Sequence, residues 1–204
     1  MAIFLHHGDL PADVDLGAAI AIDSETMGLL PQRDRLCLVQ LSAGDGDAHL
    51  VKFDGKTYDA PNLARQLNDP ERLKLFHFGR FDIAVLKHYL GITCAPVYCT
   101  KIASRLVRTY TDRHGLKNLC QELLGVDISK QQQSSDWGSV ELSEAQMEYA
   151  ASDVLYLHQL KVELDRMLTR EGRMDLAAAC FRFLPVRADL DLEGWPETDI
   201  FAHS

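Results

Sequence analysis

Apolar and polar positions alternate in the first quarter of the chain, and the pattern then changes to helical periodicity. Leu5-His6-His7 reads as a short first strand, and Ala18–Ser24 as a strong one that runs into the breakers Gly28 and Pro31. Arg35–Ser42 alternates and is followed by Gly44-Asp45-Gly46, a hairpin signal that makes Ala48–Phe53 the returning strand. Three strands joined by short turns imply an antiparallel portion of sheet. Beyond them the pattern predicts a short helix over Asn62–Leu67, a strand over Leu73–Phe78 and a helix over Arg80–Leu90 that Gly91 ends. Val97–Thr100 reads as a strand leading into a helix to about Val107, and Gly115–Leu124 as a further helix closed by Gly125. Ser143 and Gln146 have capping-box spacing and open the longest predicted helix, which runs to about Arg170. A last helix over Leu176–Phe183 is expected to stop at Pro185, leaving a polar, irregular tail from Asp189. Strands first, then helices mixed with strands, predict an α/β fold with a mixed central sheet flanked by helices.

Within this pattern a few acids stand out. Asp23 and Glu25 are two apart on a strand, so they share a face, with Ile20 and Ile22 on the other. Two carboxylates ~5 Å apart at an effective dielectric of ~20 repel by about 3 kcal/mol, unless water screens them, a proton is shared or a cation bridges them. A solvated strand edge would also accommodate the pair. Asp82 lies in Phe76-His77-Phe78-Gly79-Arg80-Phe81-Asp82, where a strand turns into a helix. An acid there favours the helix dipole, but aromatic company at a strand's carboxyl end also marks the place where open α/β sheets build sites. Tyr149 and Asp153 are four apart on a helix face that continues through Leu157, Leu160, Leu164 and Leu168. A carboxylate on that core-facing stripe requires a metal, an arginine or hydrogen-bond donors. Together the four acids suit Mg²⁺ or Mn²⁺, and no His/Cys cluster argues for zinc. Two such cations are the apparatus of phosphodiester hydrolysis.

Composition narrows the readings. Of 204 residues, 47% are apolar and 25% charged, and the length suits one domain. A net charge of −9 disfavours a protein that wraps long nucleic acid, yet permits a substrate with one or two phosphates. Lys101, Arg105, Arg108, Arg113, His114 and Lys117 make a local basic stretch. Five scattered cysteines without a CxxC pair read as reduced thiols and predict a cytoplasmic location. No membrane span or signal peptide is predicted.

The order D-x-E, an FD dipeptide, then Y-x-x-x-D resembles the DEDDy branch of the DEDD 3′→5′ exonucleases. Asp23-Ser24-Glu25-Thr26, Gly115-Leu116-Lys117, Lys130 to Trp137 and Leu142-Ser143 look like ribonuclease D. Arg33 to Cys37, Phe76 to Asp82, Thr100 to Ser104, Thr109 to Leu116, Ser129 to Trp137 and the end Ile200 to Ser204 are similar to the nanoRNase C family of compact diribonucleotidases. The resemblance implies a ribonuclease H-like fold, one exonuclease domain over 1–204 and a tail, 185–204, packed on the domain or on a neighbouring subunit. It implies two Mg²⁺ or Mn²⁺ ions per site. Asp23, Glu25 and Asp153 would hold the ion that activates water, and Asp23 with Asp82 the ion at the leaving oxygen. Tyr149 would orient the water. Substrate contacts are implied at Thr26, Gly28, Leu29, His77 and Phe81, with Lys130 and Gln133 near the phosphate or ribose; His77 stands where many relatives carry asparagine. Leu29 reads as a wedge between bases. The implied activity is hydrolysis of short RNA, chiefly 5′-phosphorylated diribonucleotides, by a homo-oligomer, an octamer in this family. The alternative is a broader 3′→5′ exonuclease that trims structured RNA or DNA ends.

Overall fold

A computed structural model describes residues 2–129, 131–132 and 134–203. Six strands form one sheet: β1 (Ile3–His7), β2 (Ala19–Thr26), β3 (Leu36–Ser42), β4 (Ala48–Lys52), β5 (Leu73–Phe76) and β6 (Val97–Cys99), in the order β1-β4-β3-β2-β5-β6. The β2–β3 and β3–β4 pairs are antiparallel and the rest parallel, so the sheet is mixed. Central β3 is buried along its whole length, which its run of apolar residues anticipates.

Helices cover both faces: α1 (Pro61–Leu67), α2 (Arg80–Leu90), α3 (Thr100–Val107), α4 (Leu116–Leu119, continuing into a π-helical turn over Cys120–Leu124), α5 (Glu144–Leu155), α6 (Leu157–Arg170) and α7 (Met174–Leu192). The predicted capping box is present, with the Ser143 side chain accepting from the Gln146 amide and Gln146 answering to the Ser143 N–H. α5 lies across β2, β3 and β4, while α2 packs against α7. The fully buried Leu157, Leu160, Leu164 and Leu168 form the apolar stripe of α6. Among the described residues no helix is long and apolar enough to cross a membrane.

Several boundaries differ from expectation. β1 begins at Ile3, two residues early, because Ile3 pairs with Ala48. β5 ends at Phe76, because Phe78 takes a left-handed backbone (φ 67°) that no strand continues through. The long helix predicted from Ser143 is two helices, broken at Tyr156. Pro185 does not stop the last helix, which extends to Leu192. An interior proline costs about 3 kcal/mol, and the flanking contacts offset it. Leu184 and Ala188 are buried, and Lys87 and Arg80 of α2 tie down Asp189 and Asp191.

Candidate metal-binding active site

β5 pairs with β2 only through Ala19, Ala21 and the residue between them. From Asp23 onward that edge of β2 is released, and it faces the turn between β5 and α2. The crevice formed there encloses about 690 Å³. It lies at the carboxyl ends of two parallel strands, where α/β sheets leave room for ligands.

β2 brings Asp23 and Glu25 to this crevice on one face, and α5 brings Asp153 across it. One carboxylate oxygen from each of the three lies within 4.8 Å of the others. Asp82 enters from the first turn of α2, buried at 5% exposure, and accepts a 2.6 Å hydrogen bond from Ser24 Oγ. Ser24 alternates away from Asp23 and Glu25, so one short strand segment supplies two acids on one face and a donor for the third acid on the other.

The electrostatics of this group are one-sided. Among the described residues no lysine or arginine forms an ion pair with Asp23, Glu25 or Asp82. Burial pushes the Asp23 carboxyl well above the usual carboxylate range, and the charges of Asp82, Asp153 and Glu25 add to the effect. Burial, then Asp153 and Asp82, raise Glu25 to about 9. Burial raises Asp82 to about 6 against the opposing hydrogen bond from Ser24. Asp23, Glu25 and Asp82 thus lack a lysine or arginine ion-pair partner among the described residues, and the donors gathered here are all hard oxygens. Both features fit a divalent cation of the Mg²⁺ class.

Tyr149 stands one helical turn before Asp153 and packs on Trp137, with ring centroids 6.0 Å apart. Burial, and after it the charges of Asp153, Glu25 and Asp23, hold its phenol above the ordinary range, so it stays protonated at neutral pH.

Thr26, Gly28, Leu29, His77 and Phe81 all line the crevice. Leu29 is 84% exposed at the tip of a constrained loop. Thr26 Oγ1 bonds the Gly28 carbonyl at 2.5 Å, and Asp34 accepts from the Leu30 N–H at 3.0 Å. A Cβ at Gly28 would fall 2.2 Å from Asp34 Oδ2, so any larger residue would have to displace the carboxylate that caps the Leu30 N–H. His77 Nδ1 and Thr100 Oγ1 are 2.9 Å apart. Lys130 and Gln133 lie outside the described residues. Sequence reasoning missed Ser24, Phe78 and Trp137 at this site. Strand alternation could have assigned Ser24 to the face opposite the acids, but nothing local in the sequence foretells the backbone of Phe78. Lys101 and Lys117, from the basic stretch, also line the crevice.

The sequence pattern of the 3′-5′ exonuclease family matches residues 9–169. A structure of Brucella melitensis NrnC with bound Mg²⁺ is 58% identical to this chain, covers 100% of both chains and superposes with a TM-score of 0.96. A structure of the same protein bound to pGG is 59% identical, covers 100% of both chains and gives 0.97. A ribonuclease D of Gluconacetobacter diazotrophicus is 36% identical over 160 residues, which are 78% of this chain and 40% of that protein. The chain therefore matches well under half the length of that ribonuclease D.

Proposed function

The chain belongs to the 3′-5′ exonuclease family, and on that premise we propose that it is a metal-dependent 3′→5′ exoribonuclease that cleaves short RNA, 5′-phosphorylated diribonucleotides above all, to mononucleotides. The observation that carries this reading is the convergence of Asp23, Glu25 and Asp153 within 4.8 Å in a crevice that Asp82 also enters. The full-length likeness to a neighbour that binds pGG supports the substrate class.

In the proposed reaction a water oxygen attacks the last phosphodiester in line, its P–O3′ bond breaks, and a nucleoside 5′-monophosphate leaves. Asp23, Glu25, Asp82 and Asp153 would hold two ions, Mg²⁺ or Mn²⁺. When bound, these supply charge neutralisation, a more acidic water and stabilisation of the leaving oxygen. Tyr149, protonated, cannot serve as the base and instead orients the attacking water by hydrogen bonding. Thr26, Gly28, Leu29, His77 and Phe81 bound the space for the terminal nucleotides, with Leu29 as the wedge between bases. Lys101 and Lys117 add positive charge to the wall, where phosphate would lie. Lys130 and Gln133 are assigned to phosphate or ribose on the sequence resemblance alone.

We read residues 1–204 as one exonuclease domain working as a homo-oligomer, an octamer by resemblance. A tail packed on its own domain is supported by Phe201 meeting Phe183 with ring centroids 5.8 Å apart and by Arg80 donating to the Pro196 carbonyl. Five free thiols, four of them buried, suit a reducing compartment, the cytoplasm.

The test is a series of 5′-phosphorylated RNAs graded from two residues upward, with duplex DNA alongside, incubated with Mg²⁺ or Mn²⁺ and with or without chelator. The diribonucleotide should turn over fastest. Equal rates across the series would replace this reading with a broader end-trimming activity. Cleavage that survives both chelator and Asp23→Asn would remove the metal-dependent mechanism.

A further inference from the structure

Phe78 departs from two rules of economy at once. Its backbone is left-handed (φ 67°), the only such non-glycine among the described residues. Glycine adopts that conformation freely, whereas a side chain there is strained. Its ring is also 47% exposed, although a large apolar group in water is unfavourable. Neither departure serves the turn, which glycine would make more easily.

The surroundings hold the strain in place. Thr100 Oγ1 contacts His77 Nδ1 at 2.9 Å and donates to the Phe76 carbonyl at 3.2 Å, fixing the two residues before Phe78. Gly79 follows so tightly that a Cβ on it would sit 2.5 Å from Phe76 Cβ. The ring is thereby projected into the crevice that holds the acids. Lys101 Nζ lies over the ring, 4.0 Å from its centroid. A cation on one face of an exposed aromatic leaves the other face for a flat, polarisable partner.

We propose that Phe78 is a stacking platform for one base of the substrate, and that the strained turn exists to present it. This rests on the nuclease reading of the crevice. Aromatic stacking of this kind tolerates any base, because every base has a π face, so Phe78 would add affinity without base preference.

The test measures equilibrium binding of a fluorescent 5′-phosphorylated diribonucleotide to full-length protein in Ca²⁺, beside the same compound made abasic at each position in turn. Phe78→Gly should weaken binding of the intact compound by roughly tenfold, within the range of base–aromatic stacking. It should leave binding of one abasic compound nearly unchanged, which identifies the stacked base. Its thermal midpoint should hold or rise, because glycine relieves the backbone. Phe78→Trp should restore affinity. Equal weakening of intact and abasic compounds, no weakening, or a fall in thermal midpoint that accounts for the loss would each overturn the proposal. If the wild-type protein binds none of these compounds and shows no chelator-sensitive cleavage, it is the nuclease reading that fails.

Discussion

Two regions of this molecule gather acids in and beside the core, and they treat the charge in opposite ways. At the seam between α2 and α7, Asp191 is 10% exposed and is met by Arg80 at 2.5 Å and Arg187 at 2.9 Å, while Lys87 pairs with Asp189. In the crevice, burial raises the proton affinities of Asp23, Glu25 and Asp82, and neighbouring carboxylates add to the effect at Asp23 and Glu25. The seam spends its acids on stability, holding a proline-containing helix against the body of the protein. The crevice keeps its acids in tension, and the folded chain carries that tension because a divalent cation can relieve it. The same residue type therefore has opposite energetic signs about one helix apart.

Substitutions that change an acid to its amide sharpen this contrast. The largest effect is expected for Asp23→Asn or Asp153→Asn, which should lower kcat by at least about a thousandfold. Asp23→Asn should also raise the thermal midpoint of the metal-free protein, because one source of repulsion is gone. A fall in midpoint would erase the distinction between the two regions. Tyr149→Phe keeps the ring against Trp137 and removes only the hydroxyl, so kcat should drop about ten- to a hundredfold with KM and folding retained. Unchanged kcat would remove Tyr149 from the mechanism.

The seam should respond the other way. Asp191→Asn leaves two guanidinium groups beside a neutral amide and should cost about 1–3 kcal/mol of stability. That corresponds to a fall of several degrees in thermal midpoint, with kcat kept; chemical denaturation and steady-state kinetics would read the two effects separately. A further effect concerns pH. An acid whose folded pKa is raised keeps its proton longer in the folded state, so stability falls as pH rises through the window between its ordinary and folded values. For Asp82 that window runs from 3.8 to about 6, and for Glu25 from 4.5 to about 9. The metal-free protein should thus lose thermal midpoint gradually from pH 6 to 9. Glu25→Gln should flatten the decline, and so should saturating Mg²⁺. A decline of equal slope with and without the cation would contradict the account.

Much of this was legible in the chain. Alternation located β2, β3 and β4, and the spacing of Asp23 with Glu25 and of Tyr149 with Asp153 put each pair on one face. What local pattern could not convey was set by distant contacts. Pro185 reads as a helix stop, yet α2 clamps the turn that follows it through the Lys87–Asp189 and Arg80–Asp191 pairs. Tyr156 breaks a periodic run that looks continuous, because apolar spacing survives a one-residue interruption. The sheet order, which releases the edge of β2 beside β5, is a tertiary fact, and it turns a pair of strand-end acids into a site. Phe78 is the sharpest case: its residue type favours a continued strand, and only its neighbours force the turn.

The central claim is that the convergent acids hold divalent cations. Anomalous diffraction from crystals grown with Mn²⁺ addresses it most directly. The account predicts two peaks in the crevice about 4 Å apart, one within coordination distance of Asp23, Glu25 and Asp153 and the other between Asp23 and the side of the crevice where Asp82 lies. Crystals that show no Mn²⁺ beside Asp23 at saturating metal would contradict it.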